Sequence, residues 1–452
     1  MIQKILVANR GEIAVRIIRS ARGLGIRTVL AASEADAESY AAQLADEVRI
    51  IGPAPASKSY LDVAAVLRAA TESGCDAVHP GYGFLSENAS FAKAATDSGL
   101  TWIGPPASAI ELMGNKAQAR QAAKKAGVPT LRGSDGPVTE GADALAIAAE
   151  VGYPLVVKAS AGGGGRGIRL VTEEGDLEST ISIARAEAQA AFGDPAVYLE
   201  QFVAKARHVE VQILGDGQRV IHIGDRDCSL QRRQQKIVEE APAPGLPDHV
   251  RNTILQSSID LGLQCGYEGL GTIEFLYDQD AEEAAFIEMN TRLQVEHPVT
   301  EMITGLDLVR EQILVTRDKS LRLQQEDIRF SGHAFEFRIN AEDADNGFMP
   351  SPGTLQRLDW PGGPGVRVDS GVVSGSVVAP FYDSLLAKLI VWDSSREEVI
   401  ARSAHALREV HIEGVKTTLP LLKSLLEREE VLSAQHHSKF IESTPELLGA
   451  LT

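Results

Sequence analysis

Polar side chains with metal-binding and anion-binding chemistry are concentrated in the stretch 286–298. The alternate polar positions are Glu288, Asn290, Arg292, Gln294 and Glu296. If the first half of the stretch is extended, these side chains share one face, and the opposite core face carries Ile287, Met289, Leu293 and Val295. Carboxylate and amide oxygens suit Mg²⁺, whereas a guanidinium binds a small planar oxyanion through two parallel hydrogen bonds. The pattern therefore predicts that a metal-bound nucleotide and an oxyanion meet here.

Two short apolar runs are the strands that would carry this polar face. Residues 272–276 and 286–290 are predicted to pair as antiparallel strands around a polar loop at 278–283. Glu274 and Glu288 would then lie opposite each other, where two carboxylates repel unless a cation lies between them or one is protonated. Mg²⁺ bridging ATP oxygens would relieve that repulsion. The alternative is that the two are unrelated exposed glutamates.

The glycine-rich stretch 161–167 lies between two apolar runs, 153–160 and 168–171. A strand follows these glycines, whereas the glycine loop of a dinucleotide fold opens a helix, and no Lys-Ser or Lys-Thr follows them as in a P-loop. Strand, glycine tip and strand predict a mobile hairpin whose backbone N–H groups fold over phosphates. With Lys158 at its entry and Arg166 at its tip, a phosphate lid is favoured over a plain surface loop.

A basic and amide-rich cluster at 231–236 contrasts with the acidic composition of the chain. Such a run is usually a solvated surface, although its amide donors also suit anion binding, so by itself it is a weak signal. Before it, residues 208–214 and 219–223 are predicted to form a hairpin around the turn at 215–217.

The N-terminal quarter alternates short strands with amphipathic helices, which predicts a doubly wound parallel sheet. The strands are predicted at 4–8, 28–32, 48–51, 76–79 and 101–103, and the helices at 12–24, 60–70 and 91–98. Ligands tend to bind at the carboxyl ends of such strands, where residues 9–11 and 79–83 fall. The first turn has no GxGxxG, which counts against a dinucleotide fold.

A second and a third unit are predicted beyond this sheet. A helix at 108–126, with Lys116 inside it, and a polar hinge at 127–137 lead into the second unit. The third unit is an α+β portion that is expected to pack on the second. Its clearest elements are an alternating segment around Arg338 at 332–340 and helices near 397–408 and 418–427.

The composition of the whole chain limits the classes of protein to which it can belong. Its 452 residues are enough for two to four domains. A net charge of −18 and a pI of about 5.1 exclude a nucleic-acid binder by bulk electrostatics. The apolar runs are strand-sized and the N-terminus has the pattern of a buried strand, so neither a membrane span nor a signal peptide is predicted. Three scattered cysteines, Cys75, Cys228 and Cys265, predict no disulfide framework and favour a reducing cytoplasm.

Taken together, these motifs resemble the biotin carboxylase component of biotin-dependent carboxylases, a member of the ATP-grasp ligases. The glycine-rich hairpin, the basic-amide cluster, Glu274 and the stretch 288–298 carry the resemblance. It extends from residues 7–14 to about 416–418 and includes 79–88 and 239–244. Several motifs of this length in the family's order are far more specific than any one of them.

The resemblance implies three domains and a reaction in two steps. The domains are a doubly wound N-terminal biotin carboxylase domain (1–114), an ATP-grasp domain (115–330) with a mobile glycine-rich lid at about 131–203, and a C-terminal α+β biotin carboxylase domain (331–452). Bicarbonate would attack the γ-phosphate of ATP, bound with Mg²⁺ or Mn²⁺, to give carboxyphosphate and ADP. Carboxyphosphate, or the CO₂ that it releases, would then carboxylate N1 of biotin tethered to a carrier protein.

The resemblance also implies a role for each candidate site residue. The ATP phosphates would contact Lys116, Lys158, Gly164 and Gly165, and the rest of the nucleotide would contact Glu200, Gln201, Phe202, Val203, His208, Gln231 and Gln234. Mg²⁺ would be held by Glu274, Glu288 and Asn290. Bicarbonate would be bound by Lys236, Arg292, Gln294 and the Val295 backbone. Glu296 would deprotonate bicarbonate, Arg338 would stabilise the enolate-like biotin, and Tyr82 would belong to the same substrate site.

Two positions depart from the family's pattern. Gln234 stands where the family usually has histidine, so weaker ATP binding without loss of the chemistry is expected. Ala161 replaces the usual first glycine of the lid and would stiffen its hinge slightly.

The expected partners also follow from the resemblance. The chain has no Ala-Met-Lys-Met biotinyl motif, so the biotin carboxyl carrier protein and the carboxyltransferase are expected to be separate chains or to have been cut from this one. Analogy with the family further implies a homodimer formed through the third portion and the first helix. The interface candidates are Arg16, Arg19 and Arg367.

Two other functions stay open at the level of sequence. Another ATP-grasp ligase, which joins a carboxylate to an amine, would share Lys116, Lys158, Glu274 and Glu288 without requiring the residues assigned to bicarbonate and biotin. The other alternative is a catalytically silent subunit that binds ATP and regulates a carboxylase, and only Gln234 supports it. The final acyl acceptor is not encoded in these residues: acetyl-CoA, as in fatty acid biosynthesis, is the commonest expectation, with propionyl-CoA, other acyl-CoAs or pyruvate as rivals.

Overall fold

The computed structural model describes residues 2–134, 136–138, 141–159 and 167–447. Within these residues the strands form one five-stranded sheet, one three-stranded sheet, one eight-stranded sheet and three two-stranded ribbons. Helices cover the larger sheets, so the mixed α/β and α+β architecture predicted from the sequence is confirmed. None of the described helices is long and apolar enough to cross a lipid bilayer.

The N-terminal portion is the predicted doubly wound parallel sheet. Its elements are β1 (Lys4–Val7), α1 (Gly11–Gly23), β2 (Arg27–Ser33), α2 (Tyr40–Leu44), β3 (Glu47–Gly52), α3 (Val63–Glu72), β4 (Ala77–His79), α4 (Ala89–Asp97), β5 (Thr101–Trp102) and α5 (Ala107–Gly114). All neighbours in the order β3-β2-β1-β4-β5 are parallel. Ile5 and Val7 pack on one side, with residues of α1, whereas Leu6 packs on the other side with α3 and α4, because successive strand side chains point to opposite faces.

The helix predicted at 108–126 is in fact two helices. It breaks at Asn115, between α5 and α6 (Lys116–Lys125). Asn115 is extended, with φ −93° and ψ 107°, and its side-chain oxygen accepts a hydrogen bond from the backbone N–H of Gln118 at 3.1 Å. An asparagine at this position caps a helix N-terminus and competes with continuation of the preceding helix. Lys116 therefore begins the second helix, where it is exposed.

The middle portion contains a small antiparallel sheet and most of the large one. Its further elements are α7 (Ala142–Val151), β6 (Leu155–Ala159), β7 (Ile168–Val171), α8 (Leu177–Phe192), β8 (Val197–Gln201), β9 (Ala206–Asp216), β10 (Val220–Arg232), β11 (Gln235–Ala241), α9 (Asp248–Gln264), β12 (Glu268–Asp278), β13 (Glu283–Asn290), α10 (His297–Thr304) and α11 (Leu308–Asp318). The small sheet has the order β7-β6-β8. Strands β6 and β7 pair antiparallel, with Lys158 opposite Ile168, as predicted for a glycine-tipped hairpin.

The C-terminal portion continues the large sheet of the middle portion. Its elements are β14 (His333–Asn340), β15 (Glu342–Asp343), β16 (Met349–Pro350), β17 (Gly353–Thr354), β18 (Arg357–Asp359), β19 (Val366–Ser370), β20 (Val377–Val378), β21 (Leu385–Asp393), α12 (Arg396–Glu409), β22 (His411–Glu413), α13 (Leu419–Leu425), α14 (Glu429–Leu432) and α15 (Phe440–Ser443). The large sheet has the order β13-β12-β9-β10-β11-β14-β21-β19. Because β14 pairs with β11, the two portions share backbone hydrogen bonds and do not merely pack on each other.

A β-bulge in β13 interrupts the alternation of faces that was predicted for residues 286–298. Glu274 lies opposite Glu288, but the next residue, Phe275, lies opposite Phe286, so Ile287 is an extra residue in β13. A bulge leaves such a residue unpaired and interrupts the alternation of faces. Ile287 is accordingly 40% exposed and does not lie on the core face predicted for it.

Two stacked aromatic residues in β14 form part of the core of the C-terminal portion. Phe335 and Phe337 are fully buried, with ring centroids 6.0 Å apart. We expect Phe337→Ala to lower the free energy of unfolding by about 3–5 kcal/mol, since it removes buried contacts and leaves a cavity. Urea denaturation followed by tryptophan fluorescence measures this change. The matched control, Phe381→Ala, removes a side chain that is 51% exposed, and an equal loss in both variants would contradict the expectation.

Candidate active site

Two carboxylates on neighbouring strands lie directly opposite each other, as predicted. Glu274 on β12 is in register with Glu288 on β13. Burial and the charge of Glu274 raise the pKa of the Glu288 carboxyl. Burial alone would also raise the pKa of Glu274, but Lys236 and His208 lower it far below its ordinary value. The charge of Glu274 therefore opposes ionisation of Glu288, and a cation bound between the two carboxylates would relieve that repulsion.

Lys236 on β11 connects three buried carboxylates. Its Nζ donates to Glu210 Oε2 at 2.7 Å, to Glu274 Oε1 at 3.1 Å and to Glu296 Oε1 at 2.5 Å. Arg226 on β10 balances the same cluster, since its Nε donates to Glu210 Oε1 at 2.6 Å. Burial would raise the pKa of Glu296, but Lys236, Arg338 and Arg226 lower it well below its usual range. Glu296 is consequently a fully buried anion.

Arg338 on β14 binds the other oxygen of the Glu296 carboxylate. Its Nη2 donates to Glu296 Oε2 at 2.9 Å, and its Nε donates to Glu239 Oε1 at 2.6 Å. Burial, only partly offset by Arg338, raises the pKa of Glu239 to about 7. Two cations, on β11 and β14, thus meet at one carboxylate.

Arg292 organises the polar groups that follow β13. Its Nε donates to Glu87 Oε2 at 2.8 Å, its Nη1 to Gln294 Oε1 at 2.9 Å and its Nη2 to Asn290 Oδ1 at 2.9 Å. The amide groups of Asn290 and Gln294 in turn donate to Glu274 Oε1, at 2.8 and 3.1 Å. The structure therefore joins two predicted metal ligands and two predicted oxyanion ligands in one hydrogen-bonded network, namely Glu274, Asn290, Arg292 and Gln294.

The remaining nucleotide candidates are distributed over four strands. His208 on β9 is buried, with Nε2 3.0 Å from Glu274 Oε2. Lys158 on β6 pairs with Glu200 on β8, and the half-buried run Glu200, Gln201, Phe202 and Val203 continues past β8. Gln231 on β10 is opposite Lys236 on β11. Gly164, Gly165, Ala161 and Arg166 lie outside the described residues.

Gln234 is at the tip of the hairpin between β10 and β11. Arg233 and Gln234 have φ of 47° and 64°, and Arg232 pairs with Gln235 on either side of them. A two-residue turn with both central residues left-handed matches the twist of the strands, although asparagine and glycine adopt it at lower cost. The side chain of Gln234 is exposed, at the end of the strand that carries Lys236.

Tyr82 and Val295 are joined through two charged residues that sequence reasoning did not single out. The Tyr82 hydroxyl donates to Glu12 in the first turn of α1. Lys388 on β21 lies 3.1 Å from the same carboxylate and donates to the Val295 carbonyl oxygen at 2.7 Å. All three portions of the chain therefore contribute to the surroundings of the site.

The three arginines predicted at a dimer interface are close to one another and mostly paired within the chain. Arg16 and Arg367 both bind Glu301, at 2.6 and 2.7 Å, and Arg19 donates to the Tyr40 hydroxyl at 3.2 Å. With Asp307 and Asp369 they line an open cleft on the surface.

Several members of the cluster were not predicted as site residues. They are Glu12, Glu87, Glu210, Arg226, Glu239 and Lys388. For Glu210 a sequence signal existed, because His208, Glu210 and Gln212 alternate along one strand and would share its face; all three are buried. Arg226, Glu239 and Lys388 come from strands whose neighbours only the sheet order reveals.

Comparison of this chain with models of known protein families defines the class of enzyme to which it belongs. Residues 115–324 match the carbamoyl-phosphate synthase L chain, ATP binding domain, which is the portion that contains the Glu274–Glu288 pair. The flanking regions match the biotin carboxylase N-terminal domain over residues 1–110 and the biotin carboxylase C-terminal domain over residues 336–443. The chain is therefore an ATP-dependent ligase with the ATP-grasp fold.

Full-length relatives agree with this class and define the family. A biotin carboxylase from Pseudomonas aeruginosa is 53% identical over 94% of this chain and 95% of its own length. Biotin carboxylase 1 of Bacillus subtilis is 49% identical over 100% of both chains. The biotin carboxylase domain dimer of Hydrogenobacter thermophilus 2-oxoglutarate carboxylase, solved with MgADP, ADP and bicarbonate, has a TM-score of 0.90 at 46% identity and covers 99% of each chain. The chain belongs to the biotin carboxylase family.

Proposed function

We propose that this chain carboxylates N1 of biotin on a carrier protein, using bicarbonate and Mg-ATP and releasing ADP and phosphate. The observation that carries the proposal is the convergence of Lys236 and Arg338 on the buried Glu296 carboxylate, beside Arg292 and Gln294. A carboxylate-amine ligase needs no such arrangement. A base surrounded by cations suits a small anionic acid such as bicarbonate, whose deprotonation creates a second negative charge.

The Glu274–Glu288 pair fits a divalent cation. Two facing carboxylates, one with a raised pKa because the other is charged, form a donor set of the kind that hard cations prefer. Glu274 and Glu288 would hold Mg²⁺, with the Asn290 amide oxygen as a further ligand. When bound, Mg²⁺ neutralises charge on the transferring phosphoryl group. Chelation with EDTA is expected to abolish ADP release by this protein, and excess Mg²⁺ is expected to restore it.

Cations and the glycine-rich tip are assigned to the nucleotide. Lys158 and Lys116 contact its phosphates together with Gly164 and Gly165, while the run from Glu200 to Val203 borders the adenine. His208, Gln231 and Gln234 complete the nucleotide contacts. The antiparallel pairing of β6 with β7, on either side of residues 160–166 in the chain, is consistent with that assignment.

The proton transfers balance in two steps. Glu296 takes the proton of bicarbonate while Lys236, Arg292, Gln294 and the Val295 N–H hold its oxygens; a bicarbonate oxygen then attacks the γ-phosphorus, and ADP leaves. Carboxyphosphate next divides into CO₂ and phosphate, and that phosphate takes the N1 proton of biotin. Glu296 releases the bicarbonate proton to solvent before the next turnover. As N1 bonds to CO₂, the Arg338 guanidinium stabilises the negative charge that develops on the ureido oxygen, on the side of the site where Tyr82 lies.

The assembly around this reaction is proposed on the same basis. The partners are a biotin carboxyl carrier protein and a carboxyltransferase, in an acetyl-CoA carboxylase or a related acyl-CoA carboxylase. Because the relative from Hydrogenobacter thermophilus is described as a domain dimer, this chain is proposed to form a homodimer through the cleft of Arg16, Arg19 and Arg367. The domain limits 1–114, 115–330 and 331–452 are retained as proposals.

The deciding experiment measures ADP release by the purified protein with Mg-ATP. We expect release to require bicarbonate and to rise when free biotin is added. Carboxylation of biotin is measured in parallel with ¹⁴C-bicarbonate. If ATP binds but neither addition changes the rate, even with a biotinylated carrier, the proposal is wrong and a silent ATP-binding subunit replaces it.

A further inference from the structure

Two buried side chains outside the substrate site hold successive carbonyl groups of the turn that follows β13. Nδ1 of His297 lies 2.7 Å from the carbonyl oxygen of Gln294, and Nζ of Lys388 donates to the carbonyl oxygen of Val295 at 2.7 Å. Both His297 and Lys388 are fully buried. The turn from Gln294 to Glu296 is therefore held by a side-chain hydrogen bond at each of its two peptide groups.

The hydrogen bond from the His297 side chain is the shorter of two that fix the Gln294 carbonyl group and so the direction of the Val295 N–H, since the backbone N–H of His297 donates to the same oxygen at 3.4 Å. A carbonyl oxygen only accepts, so Nδ1 of His297 carries the proton. Burial, followed by the charge of Lys388, lowers the pKa of His297 well below its usual value, so the ring is neutral. Its Nε2 has no hydrogen-bond partner within the described part of the chain. A peptide group is planar and trans, so the Val295 N–H points away from the anchored Gln294 carbonyl. This N–H is the donor that was assigned above to bicarbonate.

Lys388 fixes the next peptide group, which leads into Glu296. Burial of its ammonium group is costly, and such a group is retained only where a partner compensates it. The nearest compensating carboxylate is Glu12, 3.1 Å away, which also accepts from Tyr82. The charges of Glu336 and Asp369 also stabilise the Lys388 ammonium group. Lys388 therefore joins the C-terminal portion to α1 of the N-terminal portion and to the turn that carries Glu296.

We propose that Lys388 and His297 are positioning residues for the bicarbonate site, acting through the backbone of Gln294, Val295 and Glu296 and touching no substrate. The inference rests on the proposed function. Neither side chain changes the charge or identity of a group that contacts bicarbonate; each fixes the direction in which such a group points. Loss of either anchor therefore weakens bicarbonate binding and leaves ATP binding unchanged.

Steady-state ADP release, with bicarbonate and ATP varied in turn, tests this inference. We expect His297→Leu to raise the KM for bicarbonate about tenfold, the effect of losing one buried hydrogen bond that holds the site. His297→Asn can donate an N–H to the Gln294 carbonyl, so its KM for bicarbonate is expected to return most of the way to the wild-type value. The KM for ATP is expected to stay within about twofold of the wild type in both. An unchanged KM for bicarbonate in folded His297→Leu would overturn the role of His297.

Lys388 needs a paired design, because its removal alone leaves the Glu12 carboxylate buried without a counter-charge. The double variant Lys388→Met with Glu12→Gln removes both charges and is expected to raise the KM for bicarbonate about tenfold. Glu12→Gln alone keeps the bond to Val295 and is expected to show a smaller rise. Lys93→Met, which breaks an exposed pair with Asp97, is the matched control and is expected to leave every constant unchanged.

The outcomes separate the inference from the function on which it rests. Wild-type ADP release that ignores bicarbonate contradicts the proposed function itself. If wild-type ADP release depends on bicarbonate, but the variants lose only thermal stability and keep the wild-type KM for bicarbonate, the positioning role alone is overturned. If His297→Leu does not fold, His297→Met, which also cannot donate to the Gln294 carbonyl, decides the role of His297 by the same constant, and the double variant decides the role of Lys388.

Discussion

Glu296→Gln is expected to reduce bicarbonate-dependent ADP release by at least about a hundredfold, within the range that a positioned general base contributes. Glutamine keeps the size of the side chain but cannot accept the bicarbonate proton. It also removes the anion to which Lys236 and Arg338 donate at 2.5 and 2.9 Å. In the protein without bicarbonate, these cations hold the pKa of Glu296 low, so the carboxylate is ionised. When bicarbonate binds, it accepts the hydrogen bonds of these cations in place of Glu296. The basicity of Glu296 then rises as the substrate proton comes within reach.

Binding of ATP is expected to survive this substitution. Lys158 and Glu200 form their own pair on β6 and β8, and Glu296 contributes nothing to it. Rates of ADP release and the dissociation constant for a fluorescent ATP analogue are measured on the same preparations. Glu72→Gln, at an exposed position near the end of α3, is the matched control. Normal bicarbonate-dependent release by Glu296→Gln would show that another group is the base.

Arg338→Met is expected to lower biotin carboxylation by about 100- to 1,000-fold, the scale of losing one group that stabilises an oxyanion. Bicarbonate-dependent ADP release without biotin is expected to fall by less than about tenfold, because Lys236 still contacts Glu296. The variant is expected to fold. It leaves Glu239 buried without its partner, but burial already raises the pKa of that carboxyl to about 7, so the group can accept a proton and avoid an unpaired charge.

The comparison of the two rates separates biotin activation from formation of carboxyphosphate. ¹⁴C-carboxybiotin formation reports the first, and ADP release without biotin reports the second. Arg402→Met breaks a partly exposed pair with Asp393 in the same portion and serves as the control. An equal loss of both rates in Arg338→Met would contradict a role confined to biotin and would place Arg338 in the bicarbonate step.

Features that depend on neighbours along the chain were predictable. The antiparallel pairing of β12 with β13 and the facing Glu274 and Glu288 follow from alternation and a short polar loop. The parallel N-terminal sheet follows from alternating strands and helices. Local pattern failed where one residue changed the geometry: Asn115 ends a helix that the apolar pattern would continue, and the bulge at Ile287 exposes a side chain that alternation would bury.

The sequence by itself determined the residue types of the site and the chemistry that they can perform. Only the tertiary structure decided their partners. Lys236, Arg338 and Lys388 lie on β11, β14 and β21, which are adjacent in the large sheet although far apart along the chain. Sheet order and register are set by long-range burial and by hydrogen bonds between distant segments. That is why Arg226, Glu239 and Lys388 were recognised as parts of the site only in the folded chain.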